Sequence, residues 1–266
     1  MKQIRLASKI IGTQVKDRMY YPSRLIVDTL RIIARCAILL VLYWYVFQLN
    51  GGVVSGLTYI IAAWSLFFYS TFSVLVLRHI AQAIMEDIQR GNIEILFSKP
   101  ISYLSYRMAF QIGRGLYSFL VITIVGAIGL ALIIGFPDTM SLTIFIPTLI
   151  LVFLLGSILS LFLYSIIGLL AFWVEDINPV FWMVDKAVMI LGGSYLPVAL
   201  FPTYIYKLAL YSPFGATQFI THTVYDTWQA EWALKLGLQV FWIVITGIVV
   251  YFLFQKAKQK VSVNGG

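Results

Sequence analysis

The chain has 266 residues and a net charge of +8, with 61% hydrophobic residues against only 11% charged. A water-soluble domain of that length carries charge over its whole surface, so this composition excludes one and calls for a bilayer as solvent. The basic excess does not signal nucleic acid, because the charges gather at alternate connections between apolar runs and not on one face of a soluble fold.

A helix needs about 20 apolar residues to cross a hydrocarbon core. Uncharged runs at 53–77, 116–136, 139–174 and 236–255 reach that length. In chain order, residues 1–24 interleave Ile4, Leu6, Ile10, Ile11 and Val15 with Lys2, Arg5, Lys9 and Lys16. That pattern predicts an amphipathic helix on the cytoplasmic surface, broken at Tyr21-Pro22-Ser23 because proline restricts the residue before it. Spans one and two occupy 25–77. Asp28, Arg31 and Arg35 share a face of the first at i, i+3 and i+7. Arginines so near a helix end are expected to snorkel to the interface; the alternative is a face turned toward a partner or vestibule. Asn50-Gly51-Gly52 marks the outer turn.

Residues 78–107 form the longest charged section. Ile84, Ile88, Ile95 and Leu96 alternate there with Glu86, Asp87, Arg90 and Glu94, which predicts a short amphipathic helix within 81–99 lying parallel to the membrane. Ser98-Lys99-Pro100 turns the chain back. Spans three and four occupy 108–174, joined at Pro137-Asp138, the fourth being long and tilted. Its Gly156, Ser160 and Gly168 allow close helix approach, either inside the bundle or in a dimer. Residues 180–231 hold a fifth span that opens with Asp185 and Lys186 and is broken at Gly192-Gly193, Pro197 and Pro202. A break at membrane depth requires other groups to satisfy the freed backbone. Two short outer re-entrant helices follow. The sixth span is 232–255, and 256–266 is a lysine-bearing tail. Six crossings put both termini on one side together with every basic residue except Lys207 and Lys235, and that side is cytoplasmic by the positive-inside rule. Anionic inner-leaflet lipid is the expected secondary partner.

The chemistry-bearing motifs are few. No phosphate loop is present and no Gly-Lys pair occurs, so the chain lacks the means to bind and split ATP. His79 and His222 fall on opposite predicted sides, Cys36 stands alone, and neither H-E-x-x-H nor G-x-S-x-G occurs. The expectation is no catalytic residue, no metal site and no cofactor on this chain. The uncharged middles of the spans argue against an ion-driven relay, leaving another subunit to supply energy. Trp44, Tyr59, Trp64, Phe67, Phe68 and Tyr69 suit either a hydrophobic or cationic cargo or lipid-facing packing. The late first apolar run, without a cleavage pattern, predicts no cleaved signal peptide.

The run Glu86-Asp87-Ile88-Gln89-Arg90-Gly91-Asn92-Ile93-Glu94, with Leu96 and then Lys99-Pro100-Ile101-Ser102-Tyr103, resembles the bacterial ABC-2 type permease family. So do Trp173-Val174-Glu175-Asp176, Leu191-Gly192-Gly193 with Pro197, and Ser212-Pro213-Phe214-Gly215. The resemblance covers nearly the whole chain and is nearest the branch of viologen- and drug-type exporters. It implies an all-α, six-span, type V exporter-like fold in the bacterial inner membrane. It further implies a permease subunit that forms a pathway as a homo- or heterodimer, driven by a separate ABC ATP-binding subunit that holds ATP and Mg. By that resemblance Glu86, Asp87, Arg90, Glu94, Lys99 and Pro100 belong to the ATPase-coupling helix. Gly192, Gly193, Pro197, Pro213, Phe214 and Gly215 belong to the pathway and its outer gate. Lys99 stands where arginine is common in that pattern, which removes a bidentate donor. The alternatives are a non-transporting membrane scaffold and an intramembrane lipid-modifying enzyme. The enzyme needs spaced carboxylates, and Glu86-Asp87 and Glu175-Asp176 are adjacent pairs.

Overall fold

The computed structural model describes residues 2–97, 99–137 and 142–264; Ser98 and Asp138, both read as turn residues, lie outside them. Helix α1 (Lys2–Tyr20) ends where Tyr21-Pro22 forbids continuation, and Pro22 then occupies the first turn of α2 (Pro22–Leu49), where its missing N–H is no loss. The second span starts later than residue 53. Two-residue strands β1 (Val53–Val54) and β2 (Leu57–Thr58) pair antiparallel, Val53 opposite Thr58. They turn on Ser55 and Gly56, whose φ angles of 49° and 80° are those of a tight hairpin matched to strand twist. The chain is therefore not purely helical. Thr58 caps α3 (Tyr59–Phe72) by accepting from the Ile61 amide at 3.4 Å.

Every residue of α3 from Ile61 to Phe72 is buried, as expected of a helix apolar on all sides. Trp64, Phe67, Phe68 and Tyr69 are thus buried against neighbouring helices, whereas Trp44 is exposed. A 3-10 turn at Ser73–Leu75 bends the rod, and Val76 follows in the left-handed region at φ 50°. A β-branched residue there is strained and persists only where its surroundings enforce it. The Gln111 side chain donates to the Val76 carbonyl at 2.8 Å, and Gly115 lets the backbone of Leu75 lie directly on the next long helix.

Helix α4 (His79–Gln89) and α5 (Ile93–Phe97) flank Gly91 at φ 70°, so the single amphipathic helix expected within 81–99 is an elbow of two. The remaining helices are α6 (Tyr103–Ile134), α7 (Leu142–Leu170), α8 (Asn178–Leu191), α9 (Thr203–Tyr211), α10 (Pro213–Ala216) and α11 (Trp228–Asn264). Short 3-10 turns at Val198–Leu200 and Phe219–Val224 lie between α8 and α9 and between α10 and α11. Among the described residues four stretches are long and apolar enough to cross a bilayer: Tyr59–Gln89, Tyr103–Ile134, Thr143–Leu170 and Trp228–Lys260. Helix α8, with 14 residues, is about 21 Å long and stops short of a core of about 30 Å.

The two ends of the bundle are distinct. At one, the Phe97 ring meets Tyr103 at 5.5 Å and Phe254 at 5.9 Å. There the Gln89 side chain donates to the Glu175 carbonyl at 3.1 Å and the Ser102 amide donates to Gln3 at 3.1 Å. The elbow, α1, the turn before α8 and the end of α11 therefore gather together. At the other, the Trp64 indole donates to the Gly135 carbonyl at 2.9 Å and stacks on Phe136 at 5.2 Å. The small-residue stripe of α7 packs inside this chain: a Cβ on Gly156 would fall 2.7 Å from the Thr217 carbonyl, and one on Gly168 3.0 Å from Ala81. Gly115 lies against backbone, since its Cβ would meet the Leu75 Cα at 2.5 Å. Gly115→Ala is expected to cost about 1–3 kcal/mol through overpacking, measured as a lowered unfolding midpoint in detergent. Gly129→Ala, with open space around it, serves as the control and should leave that midpoint unchanged or slightly raised.

Candidate functional site

Three groups of polar side chains interrupt the apolar bundle. The first holds the elbow. Asp87 points inward and is 4% exposed. The Tyr103 hydroxyl donates to its Oδ2 at 2.6 Å, Arg107 Nε donates to the same oxygen at 2.6 Å, and Arg107 Nη2 donates to Oδ1. This two-point fork is the geometry arginine is built for, and it locks α4 onto the first turn of α6. Glu86 and Arg90 face away from the bundle and pair loosely at 3.8 Å, with 56% and 70% of their side chains exposed. A pair so exposed contributes only a few tenths of a kcal/mol, so both remain available to another surface. Lys99 sets its ammonium 4.5 Å from the Tyr106 ring centre, and Pro100 is exposed beside it. Glu94 lies in α5; its side chain is outside the described set.

The second group surrounds the break after α8. Asp185 is buried, and Arg78 Nη1 donates to both of its carboxylate oxygens at 3.4 Å while the Tyr164 hydroxyl donates to Oδ1 at 3.0 Å. These three residues line a recess shared with Tyr69, Ser160 and Gln218. Arg35 does not snorkel. Its Nη2 donates to the Ser194 carbonyl at 2.6 Å and to the Ser194 hydroxyl, and its guanidinium lies 5.1 Å from the Tyr69 ring centre. The Tyr43 hydroxyl adds a bond to the Tyr195 carbonyl at 2.8 Å. Backbone freed by the break is thus satisfied from α2, as a break within an apolar bundle demands. Gly193, at φ 82°, makes the reversal, and a Cβ on Gly192 would strike Gln218 at 2.4 Å. Pro197 leads into the 3-10 turn at Val198–Leu200.

The third group lies around α10. Ser212 caps that helix by accepting from the Gly215 amide at 3.2 Å. A Cβ on Gly215 would fall 2.0 Å from the Ala209 carbonyl, which fixes the sharp turn from α9 through Pro213. Phe214 packs against the small cluster of Leu191, Val198 and Ala209. The Gln239 amide donates to the Ala216 carbonyl at 2.9 Å. Lys235, near the start of α11, is buried within the bundle, 2.7 Å from Glu231 and 5.5 Å from the Trp228 ring centre. His222 is buried between Phe219 and Tyr225, and its Nδ1 has no hydrogen-bond partner among the described residues.

Sequence reading missed the long-range pairs Arg78–Asp185 and Arg35–Ser194, whose members are far apart along the chain. The one available signal was Asp185 itself, a carboxylate in the opening turns of an apolar run. Among the described residues no group of His, Cys, Asp and Glu is placed to hold a metal.

A bundle with four bilayer-length apolar stretches among the described residues, its buried Asp87, Asp185 and Lys235 each paired within the chain, defines a multi-pass α-helical membrane protein. Residues 34–265 match the family described as ABC-2 family transporter protein, and the chain belongs to that family. A comparison with curated proteins finds no match. The match takes in the elbow, the break and α10, and begins after α1.

The elbow clamp has a measurable signature. Asp87→Asn leaves the Arg107 guanidinium, 16% exposed, without its counter-charge. Removing one partner of such a pair costs about 3–5 kcal/mol, so the unfolding midpoint in detergent should fall sharply. The double variant Asp87→Leu with Arg107→Met should recover most of the loss.

Proposed function

We propose that this chain is the permease subunit of an ABC exporter in a bacterial inner membrane, paired with a second permease and driven by a separate ATP-binding subunit. The observation that carries the reading is the family match together with an elbow that turns Glu86, Arg90, Lys99 and Pro100 outward on a base clamped by Asp87. In this reading there are six crossings, with α2 as the first and the broken pair α8–α9 as the fifth. Both termini are cytoplasmic, since the elbow, α1 and the end of α11 share one end of the bundle. ATP and Mg reside on the partner.

The mechanical argument follows from how the elbow is tied. Closure of two ATP-binding subunits pushes on α4, which the Asp87–Arg107–Tyr103 fork joins to α6 and the Arg78–Asp185–Tyr164 contacts join to α7 and α8. Packed helices pass on such a displacement as small rigid shifts. Helix α8 ends at Gly192-Gly193, so its shift arrives at the strap through Pro197 and then at the α10 turn of Pro213, Phe214 and Gly215. Those residues are the proposed pathway wall and outer closure. A hydrophobic or cationic cargo, of the viologen and drug type, is part of the same proposal.

Purification of the chain from its native membrane in mild detergent should bring a nucleotide-binding protein with it. Arg90→Glu or Glu86→Lys should insert normally yet lower cargo-stimulated ATP hydrolysis by roughly tenfold, a change of about 1.4 kcal/mol. Stimulation equal to the unmodified chain in both variants would mean that the outward face of the elbow is merely solvated.

A further inference from the structure

An open groove of about 510 Å³ runs between α2, α3 and α6, walled by residues such as Ile33, Ala37, Leu40, Phe67, Val125 and Gly129. Its polar atoms are already engaged: the Thr29 hydroxyl donates to the Leu25 carbonyl at 2.7 Å and the Cys36 thiol contacts Ser70 Oγ at 3.7 Å. The lining on α2 extends from Thr29 to Leu40, about 16 Å of helix. That is close to half of a hydrocarbon core of about 30 Å, the depth of a single leaflet.

Basic residues cluster at one end of the groove. Arg114 lies two turns along α6 from Val121 and Ile122 on the same face, and Arg24 precedes Thr29 on α2. Arg18, from α1, is 8% exposed and, among the described residues, takes part in no ion pair or side-chain hydrogen bond, and the same holds for Arg24 and Arg114. Burial, then the like charges of Arg24 and Arg114, lower the Arg18 pKa from its ordinary value; Asp28 and Asp17 oppose this. Asp28 is itself 3.6 Å from Arg31. With Asp28 shared with Arg31, the guanidinium groups of Arg18, Arg24, Arg31 and Arg114 outnumber the nearby carboxylates of Asp17 and Asp28, beside an apolar channel one leaflet deep.

We infer that this groove seats one anionic phospholipid, its phosphate held by Arg18, Arg24 and Arg114 and an acyl chain laid along α2 and α6. Guanidinium forks match phosphate geometry, and the apolar lining removes the chain from competition with water-facing groups. The site is separate from the elbow and does not depend on the exporter reading.

The test is native mass spectrometry of the full chain in detergent, titrated with phosphatidylglycerol or phosphatidylcholine of equal chain length. One phosphatidylglycerol should be retained in preference to phosphatidylcholine. Arg24→Gln and Arg114→Gln should each weaken that retention by roughly fivefold, the scale of one basic group facing anionic lipid. Gly129→Leu, which projects into open space within the groove, should weaken it with the arginines intact. Arg24 is exposed on α2, so its variant decides the matter even if Arg114→Gln does not fold. Equal retention of the two lipids overturns the proposal, as does full retention by the Arg24 variant. Displacement by soluble glycerol phosphate would assign the site to a free anion, and a lipid-free dimer closing the groove would assign it to a second copy; either result also overturns it.

Discussion

A charge withdrawn from water into an apolar bundle must find its partner within the protein, and much of this architecture follows from that constraint. The Asp87 carboxylate takes three donors from the start of α6, Asp185 takes donors from α4's lead-in and from α7, and Lys235 takes Glu231 one turn away. Hydrophobic contact is non-directional and would tolerate sliding of one helix along another. A carboxylate fixed by several donors does not, because a shift of one turn strands a buried charge at a cost of several kcal/mol. The pairs thereby set which turn of α4 meets which turn of α6 and α8.

The same requirement explains the break after α8. Chain reversal at Gly192-Gly193 leaves carbonyls that no helix can use, and Arg35 and Tyr43 reach across from α2 to take those of Ser194 and Tyr195. A cation at that position also faces the negative end of the α8 dipole. The strap between α8 and α9 is therefore irregular in backbone but held by named contacts. It sits directly after a helix whose Asp185 is tied to Arg78 at the lead-in of α4, so the strap and the elbow are linked through a single short element.

Close approach is the second organising device. Without a strong hydrophobic drive between helices in lipid, packing relies on small residues that let backbones touch. Gly113 receives α1, Gly115 receives the bend at Leu75, Gly156 receives Thr217 and Gly168 receives α4. The bend itself places Val76 in a strained conformation, and the Gln111 side chain on the same face of α6 as Gly115 holds it there. Strain of this kind is stable only because two independent contacts over-determine it.

Much of the molecule was legible from the residues alone: a membrane protein, the break at Tyr21-Pro22, the amphipathic character of 81–99, the interruption at Gly192-Gly193, and the family through the Glu86–Tyr103 run. These are local properties, set by composition, periodicity and the backbone habits of proline and glycine. What escaped was every fact that depends on which helix lies beside which. The hairpin at Ser55-Gly56 was hidden inside an apolar run, Arg35 read as a snorkelling end residue, the burial of Lys235 went unseen, and Asp87 was indistinguishable from its exposed neighbour Glu86. Their fates were decided only in three dimensions, because a side chain's partner across the bundle is chosen by packing, and no spacing along the chain encodes a contact between residues 35 and 194.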